Sequence, residues 1–439
     1  MSKRLPILLL LLLLSISTVQ LTSFSSANYF PDPGPDLPRI YIKSNGDVEP
    51  ATAPIQRSGN TYKLTGDIVL YTVEIQRDNI VFDGAGHTIR GNASWLGYGA
   101  GNNGLIMTGR KNVNVTGFRV EGYYAGVRVI SSSEINLFGN SFTDSTNMGI
   151  VVQDSTLVMV EENTFTDLRT DLNTPAIMVN GTNNTVRNNI ITGSTYGVNI
   201  EGSANKILDN RIEVMIAMHL DKADSNVIAG NNITGHPGQN YRGNEGIALF
   251  TGCSNNFIVG NSITNFVNQA FRIVFDGSNN TIYGNYMANN GFAIALQERA
   301  LNNTFYGNTF AADSCNVSIF DAAVGICWDN GTIGNFWGDY TGVDGDRDGI
   351  GDAPYMVKGF VWSNEAKGLV SAPAGQDNYP LMAPVEAGYD FGADGAQLEV
   401  AELPPFPTAI VAVVVALLVV GACLLVYFKK YNCNSTKGV

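Results

Sequence analysis

The segment NFIVGNSI at residues 256–263 decides the fold, because the chain repeats it. It recurs as NTIYGNYM at 280–287 and as NTFYGNTF at 303–310, and weaker copies precede and follow these three. From Phe118 to Asn335 the copies follow one another at a mean step of about 24 residues, the period of a stacked repeat. Each step holds short runs in which apolar and polar residues alternate, separated by Gly and Asn. A period of two in short runs predicts strands.

Several short strands in each repeat of this length predict one coil of a parallel β-helix. The expected fold is all-β, a solenoid of about ten coils over residues 77–337, with an N-terminal cap region at 28–76 and a C-terminal cap at 338–385. Alternate inward residues would form the core, and the recurrent asparagines would hydrogen-bond from coil to coil. A leucine-rich repeat would need a denser leucine pattern, and a propeller would need longer repeats.

Both ends of the chain are predicted to be directed to a membrane. Two basic residues, an apolar run and the small residues before position 28 predict a signal peptide at 1–27, with an uncleaved anchor as the alternative. Residues 409–428 carry no charge, and twenty helical residues span the ~30 Å hydrocarbon core. Lysines follow this span and place the tail, 429–439, in the cytoplasm. The sequence therefore predicts a single-pass protein of the cell membrane, with an extracellular ectodomain joined to a C-terminal transmembrane helix by a linker at 386–408.

The composition excludes several classes of protein. The chain has 39 acidic and 26 basic residues and a net charge of −13. A nucleic-acid partner would require a basic surface, so none is expected. The hydrophobic content of 44% excludes wholesale disorder. Cys315 and Cys327, close in sequence, are the candidate disulfide pair, although the core cannot depend on so few cysteines.

Four segments carry a resemblance to a known family. They are NIVFDGAGHTI at 79–89, NFWGDY at 335–340, DGDRDGIGDAPY at 344–355 and DNYPLM at 377–382. They resemble the NosD-like right-handed parallel β-helix family, which belongs to the carbohydrate-binding and sugar-hydrolase type of β-helix domain. Residues 40–65 and the anchored tail are similar to archaeal cell-surface members. The resemblance covers about residues 40–385 and implies a right-handed coil. It does not imply one activity, because this fold hosts lyases, hydrolases, epimerases and proteins without activity.

The NosD resemblance also raises the question of copper, since a periplasmic member of that family assists the assembly of a copper site. The sequence does not favour copper. The chain has 3 histidines, and Met218 and His219 are adjacent on a predicted strand, so their side chains point to opposite sides.

Weak catalytic candidates share one outer face of the predicted solenoid. They are Glu201, His219, Asp221 and Arg272, at outward positions of the mid-coil strands. Long loops before Ala176 and before Gly246 would flank these coils and leave a shallow cleft. Acidic and aromatic residues in such a cleft suit sugar hydroxyls and ring faces. The alternative is that these are ordinary solvated positions, because an exposed sheet face is polar in any case.

A run of aspartates predicts a calcium site. Asp344, Asp346, Asp348 and Asp352 form a D-x-D-x-D-G-x-x-D pattern that places oxygen ligands at alternating positions around a sharp turn. It departs from an EF-hand because Tyr355 stands where a bidentate Glu belongs. The alternative is an acidic, solvated turn.

The sequence thus predicts a membrane-anchored cell-surface β-helix that binds or organises carbohydrate, a polysaccharide or glycan, without turnover. One alternative is a polysaccharide lyase or glycoside hydrolase that uses Glu201 or Asp221 as base. A pair of carboxylates neutralised by calcium or Arg, within reach of the same cleft, would favour that alternative. Another is a structural surface-layer component, which would self-associate laterally and have no affinity for glycans.

Overall fold

The computed structural model describes residues 37–91, 103–143, 147–168, 174–236, 243–297, 299–311, 317–320, 323–363 and 368–385. Within these ranges the chain forms strands and turns and no helix. No helix long and apolar enough to cross a membrane is therefore found among them. The predicted signal peptide, linker, transmembrane helix and tail lie outside the described residues and stay predictions.

Each coil contributes short strands to three parallel stacks, here called faces, and the solenoid has about 11 coils. Face 1 consists of β1 (Arg39–Ile42), β6 (Thr72–Ile75), β9 (Asn103–Thr108), β12 (Ala125–Ile130), β15 (Met148–Thr156), β18 (Ile177–Thr182), β21 (Tyr196–Ser203), β24 (Ile216–Asp224), β27 (Glu245–Leu249), β30 (Gln269–Ile273), β33 (Phe292–Gln297), β36 (Val317–Phe320) and β38 (Tyr355–Ser363).

Face 2 consists of β4 (Thr61–Leu64), β7 (Ile80–Asp83), β10 (Lys111–Thr116), β13 (Ser133–Phe138), β16 (Met159–Glu161), β19 (Thr185–Arg187), β22 (Lys206–Leu208), β25 (Val227–Ala229), β28 (Phe257–Val259), β31 (Thr281–Tyr283) and β34 (Thr304–Tyr306). Face 3 consists of β5 (Ile68–Val69), β8 (Thr88–Arg90), β11 (Arg119–Glu121), β14 (Ser141–Thr143), β17 (Thr164–Thr166), β20 (Ile190–Thr192), β23 (Arg211–Val214), β26 (Asn232–Gly235), β29 (Ser262–Thr264), β32 (Tyr286–Ala288), β35 (Thr309–Phe310) and β37 (Phe336–Trp337). Antiparallel strands flank the ends: β2 (Val48–Glu49) pairs with β1, β3 (Ile55–Ser58) with β4, and β39 (Gly368–Asp377) with β38.

The solenoid begins earlier than the repeat motif does. Strands β4, β5 and β6, within the region expected to form the cap, already pair in parallel with strands of the next coil. Their segment lacks the recurrent Gly-Asn signal, which is why the sequence pattern places the first coil later.

The core is built from the alternation that the repeats predict. On face 1 the inward residues Val198 and Ile200 of β21 stack on Met218 and Leu220 of β24, and all four are fully buried. Inward residues pack across their own coil and against the neighbouring coils, so stability depends on stacking. At the C-terminal end the rings of Trp337 and Tyr355 stack with their centroids 4.7 Å apart, and Trp337 is fully buried.

A ladder of asparagines runs along the turn between faces 2 and 3, as predicted. Asn210 donates its side-chain amide to Oδ1 of Asn231 at 2.9 Å, and Asn231 donates in the same way to Asn261 at 2.9 Å. The same Oδ1 atoms also accept the backbone N–H of the preceding asparagine. The glycine before Asn261, Gly260, has a φ of 61°, a left-handed conformation that favours glycine and explains the Gly-Asn pair of the motif. A second ladder of this kind, from Asn184 to Asn303, follows the turn between faces 1 and 2.

The first ladder ends on a carboxylate. Asn308 donates to Asn335, and the backbone N–H of Asn335 donates to Oδ2 of Asp377 at 2.7 Å. The indole Nε1 of Trp337 donates to the same oxygen at 2.8 Å. Burial raises the pKa of Asp377, although these hydrogen bonds oppose the shift. Asp377 therefore takes the place of the next asparagine and terminates the stack.

The candidate disulfide stays a prediction. Cys315 lies outside the described residues, and Cys327 is exposed on the surface. Cys253 is buried in the core, where its thiol donates to the carbonyl of Leu220.

Candidate functional site

The register of face 1 places the four candidate residues on its outer surface in two columns. His219 pairs with Ala248, and Ala248 pairs with Arg272, so the imidazole and the guanidinium stand two coils apart in one column. Glu201 pairs with Asp221 in the other column. Ala248, also on this surface, is buried.

The carboxylate of Glu245, which directly precedes Gly246 and so belongs to the predicted long loop, joins His219 and Arg272. Glu245 is the first residue of β27, and its side chain is 2% exposed. Its Oε1 lies 2.8 Å from Nε2 of His219, and its Oε2 accepts from Arg272 Nη1 at 3.2 Å and from Gln269 Nε2 at 2.6 Å. Glu245 stands in register with Ile216 and Gln269, the residues that open the neighbouring strands. Its position directly before an apolar alternation was the signal that could have identified it.

Glu245 is an ionised carboxylate in the folded protein. Burial alone would raise its pKa, but the hydrogen bond and charge of His219, the charge of Arg272 and the amide of Gln269 together lower it. An ionised carboxylate only accepts hydrogen bonds, so Nε2 of His219 carries the proton and donates it. The side chain of His219 is 18% exposed. Glu245 therefore sets the orientation of the ring.

Aromatic rings hold the imidazole on both sides. The ring centroid of His219 lies 5.0 Å from that of Tyr196 and 4.7 Å from that of Phe250. Arg272 places its Cζ 5.4 Å from the centroid of Phe250, a cation–π contact. We name the set Tyr196, His219, Glu245, Phe250, Gln269 and Arg272 the Glu245 cluster, and the outer surface of face 1 around it the groove.

Glu201 and Asp221 form a separate acidic pair beside this cluster. Burial, and then the charge of Asp221, raises the pKa of Glu201. Asn180 donates to Oε2 of Glu201 at 2.7 Å. Asn199 connects this pair to the cluster. It accepts a hydrogen bond from the hydroxyl of Tyr196 at 3.0 Å, and its side chain also hydrogen-bonds to Glu201, which lowers the pKa of Glu201. The two groups of candidates thus lie next to each other on face 1, linked by Asn199 and by the ring contact of Tyr196 with His219.

Three of the four aspartates of the predicted calcium site lie close together. Asp344, Asp346 and Asp348 bring carboxylate oxygens within 4.8 Å of one another, an arrangement that suits a hard cation. The carboxylate of Asp344 also accepts the backbone N–H groups of Arg347 and Gly349, which folds the loop. The fourth predicted ligand, Asp352, is not part of this group and instead accepts the N–H of Gly345 at 2.9 Å.

The donors present do not fit a copper site. Met218 is buried in the core, while His219 lies on the outer surface and is bonded to Glu245. Within the part of the chain that the structure describes, the one group with metal-binding spacing contains aspartates alone, and copper prefers nitrogen and sulfur ligands.

Two family models match this solenoid. The model described as "Right handed beta helix region" matches residues 175–335, and the model described as "Periplasmic copper-binding protein (NosD)" matches residues 55–210. Together the two models cover residues 55–335, and the chain is NosD-like. The expected archaeal origin of this NosD-like protein stays a prediction.

Several solved structures are similar to the NosD-like chain at low identity. The tailspike protein of Escherichia coli bacteriophage HK620 is 10% identical over 60% of this chain and 62% of its own, with a TM-score of 0.44. The surface adhesin PfbA of Streptococcus pneumoniae is 13% identical over 61% and 82%, with a TM-score of 0.43. The A-module of a mannuronan C-5 epimerase of Azotobacter vinelandii is 11% identical over 61% and 85%, with a TM-score of 0.41. The NosD-like chain spans 62% of the first tailspike and 58% of a second, Dettilon. Comparison with curated proteins gives no match.

Proposed function

We propose that the protein binds a glycan chain in the groove of face 1. The observation that carries this proposal is the imidazole of His219, held between the rings of Tyr196 and Phe250 over the buried carboxylate of Glu245. Sugars present both hydroxyl groups and apolar ring faces, and sites that bind them combine aromatic surface with fixed polar groups.

The groove is preorganised for such a ligand. Gln269 and Arg272 donate to Glu245, and Arg272 also donates from Nη2 to Gln297 at 2.9 Å. Because these side chains are already bonded to one another, little side-chain entropy would be lost when a ligand binds. His219 and Arg272 remain 18% and 23% exposed, so both can still contact a ligand.

In this proposal the solenoid stands outside the cell and is held there by the predicted span at 409–428. An elongated face with equivalent positions on successive coils suits a polymer that lies along it. The proposal differs from a purely structural surface-layer role in requiring glycan affinity at the groove.

Phe250→Ala is expected to weaken glycan binding about tenfold, because it removes one aromatic wall and the support of His219 and Arg272. A tenfold change corresponds to about 1.4 kcal/mol, the order of an aromatic contact. The full-length protein in detergent would be incubated with a panel of polysaccharides, and its dissociation constants would be measured for each polymer that retains it. Phe138→Ala, which removes an exposed ring on face 2, should bind like the wild type. Equal affinities of the two variants, or no retention by any polymer, would refute the proposal.

Turnover is a second candidate, favoured by a specific observation. A pair of carboxylates neutralised by arginine or calcium would favour an enzyme, and in the groove Arg272 neutralises one carboxylate, that of Glu245. Glu201, with a raised pKa, also stands beside Asp221, as an acid beside a base does in glycosidases. In this candidate Glu201 protonates the leaving oxygen and Asp221 acts as nucleophile or base.

The retained polymers test turnover directly. Release of reducing ends or unsaturated products is expected if the groove is an active site, and Glu201→Gln or Asp221→Asn should abolish release while retention persists. Retention without release of product from any bound polymer would exclude turnover on those polymers and leave glycan binding.

We also propose that Asp344, Asp346 and Asp348 hold calcium in the C-terminal cap, with Asp352 shaping the loop. Calcium is then expected to raise the midpoint of thermal unfolding by several degrees, since a ligand at 100 times its Kd stabilises by about 2.7 kcal/mol. The midpoint would be compared in calcium and in EDTA. Asp346→Asn combined with Asp348→Asn should remove the calcium response, and Asp154→Asn, an exposed aspartate on face 1, should keep it. An unchanged midpoint in the wild type would contradict the proposal.

A further inference from the structure

Two carboxylates stand in one column along the side of the groove where the strands of face 1 end. Glu201 of β21 pairs in register with Asp221 of β24, and Asn180 of β18 precedes Glu201 in the same column. Phe250 directly follows β27, whose last residue pairs with Leu220, so it takes the place after Asp221 on the next coil. Neighbouring strands lie about 4.8 Å apart, so a ligand that lies along the groove can contact both carboxylates and the aromatic ring.

This side of the groove can be reached from solvent. The side chain of Asp221 is 35% exposed, and Glu201 and Phe250 are partly exposed. The structure describes every residue of β18, β21, β24 and β27 and of the turns after them, which end at asparagines of the second ladder. The charges that these strands and turns contribute are therefore known.

Negative charge prevails on these strands and turns. They carry four carboxylates and one lysine, namely Glu201, Asp221, Asp224, Glu245 and Lys222. Arg272 of β30 adds one positive charge, so four acidic against two basic residues leave a net charge of −2 with His219 neutral. A groove of this charge attracts cationic ligands and repels anionic ones.

The charge of Arg272 is not available to balance the two carboxylates in the column. Its guanidinium is paired with Glu245, whose side chain is 2% exposed. Among the described residues, Lys222 is the one cation in ion-pair contact with Glu201 or Asp221. Its Nζ lies 3.9 Å from Oδ2 of Asp221, but its side chain is 73% exposed, and such an exposed pair contributes little. Burial, and then the charge of Asp221, raises the pKa of Glu201, which shows that the two carboxylates repel each other.

We propose that the groove selects glycans by charge and binds polymers of amino sugars whose amines are free. The inference rests on the proposed glycan binding and specifies its ligand class. The ammonium group of the sugar donates hydrogen bonds to Glu201 and Asp221 and relieves their repulsion. The apolar carbons of the sugar ring contact the exposed part of Phe250, which already makes a cation–π contact with Arg272.

Polymers of uronic acids are excluded by the same charges. Their carboxylates would stand against Glu201 and Asp221, and like charges brought together at an interface are unfavourable. The net charge of the chain, −13, adds to this repulsion at long range.

The test compares oligomers that differ in charge. Oligomers of β1,4-linked glucosamine, N-acetylglucosamine and glucose of equal length, together with a polyuronate, would be titrated against the full-length protein in detergent. The buffer is mildly acidic, so that the sugar amines are protonated. At about 0.01 M salt the wild type should bind the glucosamine oligomer at least tenfold more tightly than the two neutral oligomers, and the polyuronate most weakly. At about 1 M salt the preference should fall to about twofold, because the Debye length shrinks from about 30 Å to about 3 Å.

Variants locate the selection. Glu201→Gln combined with Asp221→Asn removes both charges with little change in shape and should lower the affinity for the glucosamine oligomer to that for the glucose oligomer. Lys222→Gln removes a competing ammonium group and should raise the affinity for the glucosamine oligomer about threefold. Glu162→Gln combined with Glu213→Gln removes two charges away from face 1 and is the matched control, which should bind like the wild type.

The outcomes separate this inference from the proposal on which it rests. Equal affinities for the glucosamine and glucose oligomers, or tighter binding of the polyuronate, would overturn charge selection and leave glycan binding in the groove. A preference that survives the double substitution at Glu201 and Asp221 would place recognition of the amine elsewhere and overturn the inference as well. No binding of any oligomer or polymer would refute glycan binding itself.

Discussion

Asn231→Ala is expected to lower the free energy of unfolding by about 4 kcal/mol, because several buried groups lose their partners at once. The amide Nδ2 of Asn231 donates to the carbonyl oxygens of Ile207 and Ala229. Its Oδ1 accepts both the backbone N–H and the side-chain amide of Asn210. Each buried group left without a partner costs about 1–3 kcal/mol, and water entering the turn would relieve part of the total.

The neighbouring residue provides the matched control. Asn232 has the same side chain but is exposed, so Asn232→Ala should change stability by less than about 0.5 kcal/mol. Unfolding in urea, followed by circular dichroism on unglycosylated protein, would measure both variants. Similar losses for the two substitutions would show that the ladder does not stabilise the solenoid in the way described.

Glu245→Ala is expected to lower the free energy of unfolding by about 3–5 kcal/mol and to abolish glycan retention. Removing one partner of a buried ion pair leaves the charge of the other uncompensated. His219 and Arg272 would lose the carboxylate that orients them. Glu162→Ala, at an exposed position of the same solenoid, should leave both stability and retention unchanged. Retention that survives Glu245→Ala would remove the Glu245 cluster from the binding site.

The same carboxylate predicts a pH dependence with a definite sign. The pKa of Glu245 is lowered in the folded protein from its ordinary 4.5. The unfolded state therefore binds the proton more readily, and the ionised group stabilises the fold at all pH values above the unfolded pKa. That stabilisation is lost as the pH falls from about 4.5 through the lower folded pKa. The difference in unfolding midpoint between the wild type and Glu245→Gln should be constant near neutral pH and shrink below pH 4.5. A difference that grows on acidification would contradict an ionised Glu245.

The sequence predicted the coil well because the two patterns that indicate it, the apolar alternation and the recurrent asparagines, are both local. Alternation of apolar residues identified Val198, Ile200, Met218 and Leu220 as core, and all are buried. The recurrent asparagines predicted the ladder, because identical turns on stacked coils must lie next to one another. The same register brought His219 and Arg272 into one outer column.

The parts that sequence could not supply depend on side chains from distant positions. Glu245 follows a long insertion, which hides the start of its strand, and its role is defined by contacts to residues 26 and 27 positions away. The pairing of Asn335 with Asp377 joins residues 42 positions apart through a segment without repeats. Periodicity carries no information on either contact.

The hydrogen bonds of the asparagine ladder all run in one direction. Each side-chain amide donates to the next residue of the ladder toward the C-terminus, and the ladder ends at Asp377, because a carboxylate accepts hydrogen bonds and has no N–H to donate. Asp377 thus ends the ladder. The asparagine of each internal coil accepts hydrogen bonds from the preceding coil and donates one to the next, so internal coils are interchangeable. The number of coils in such a solenoid can change by duplication or loss of whole coils while both of its ends stay the same.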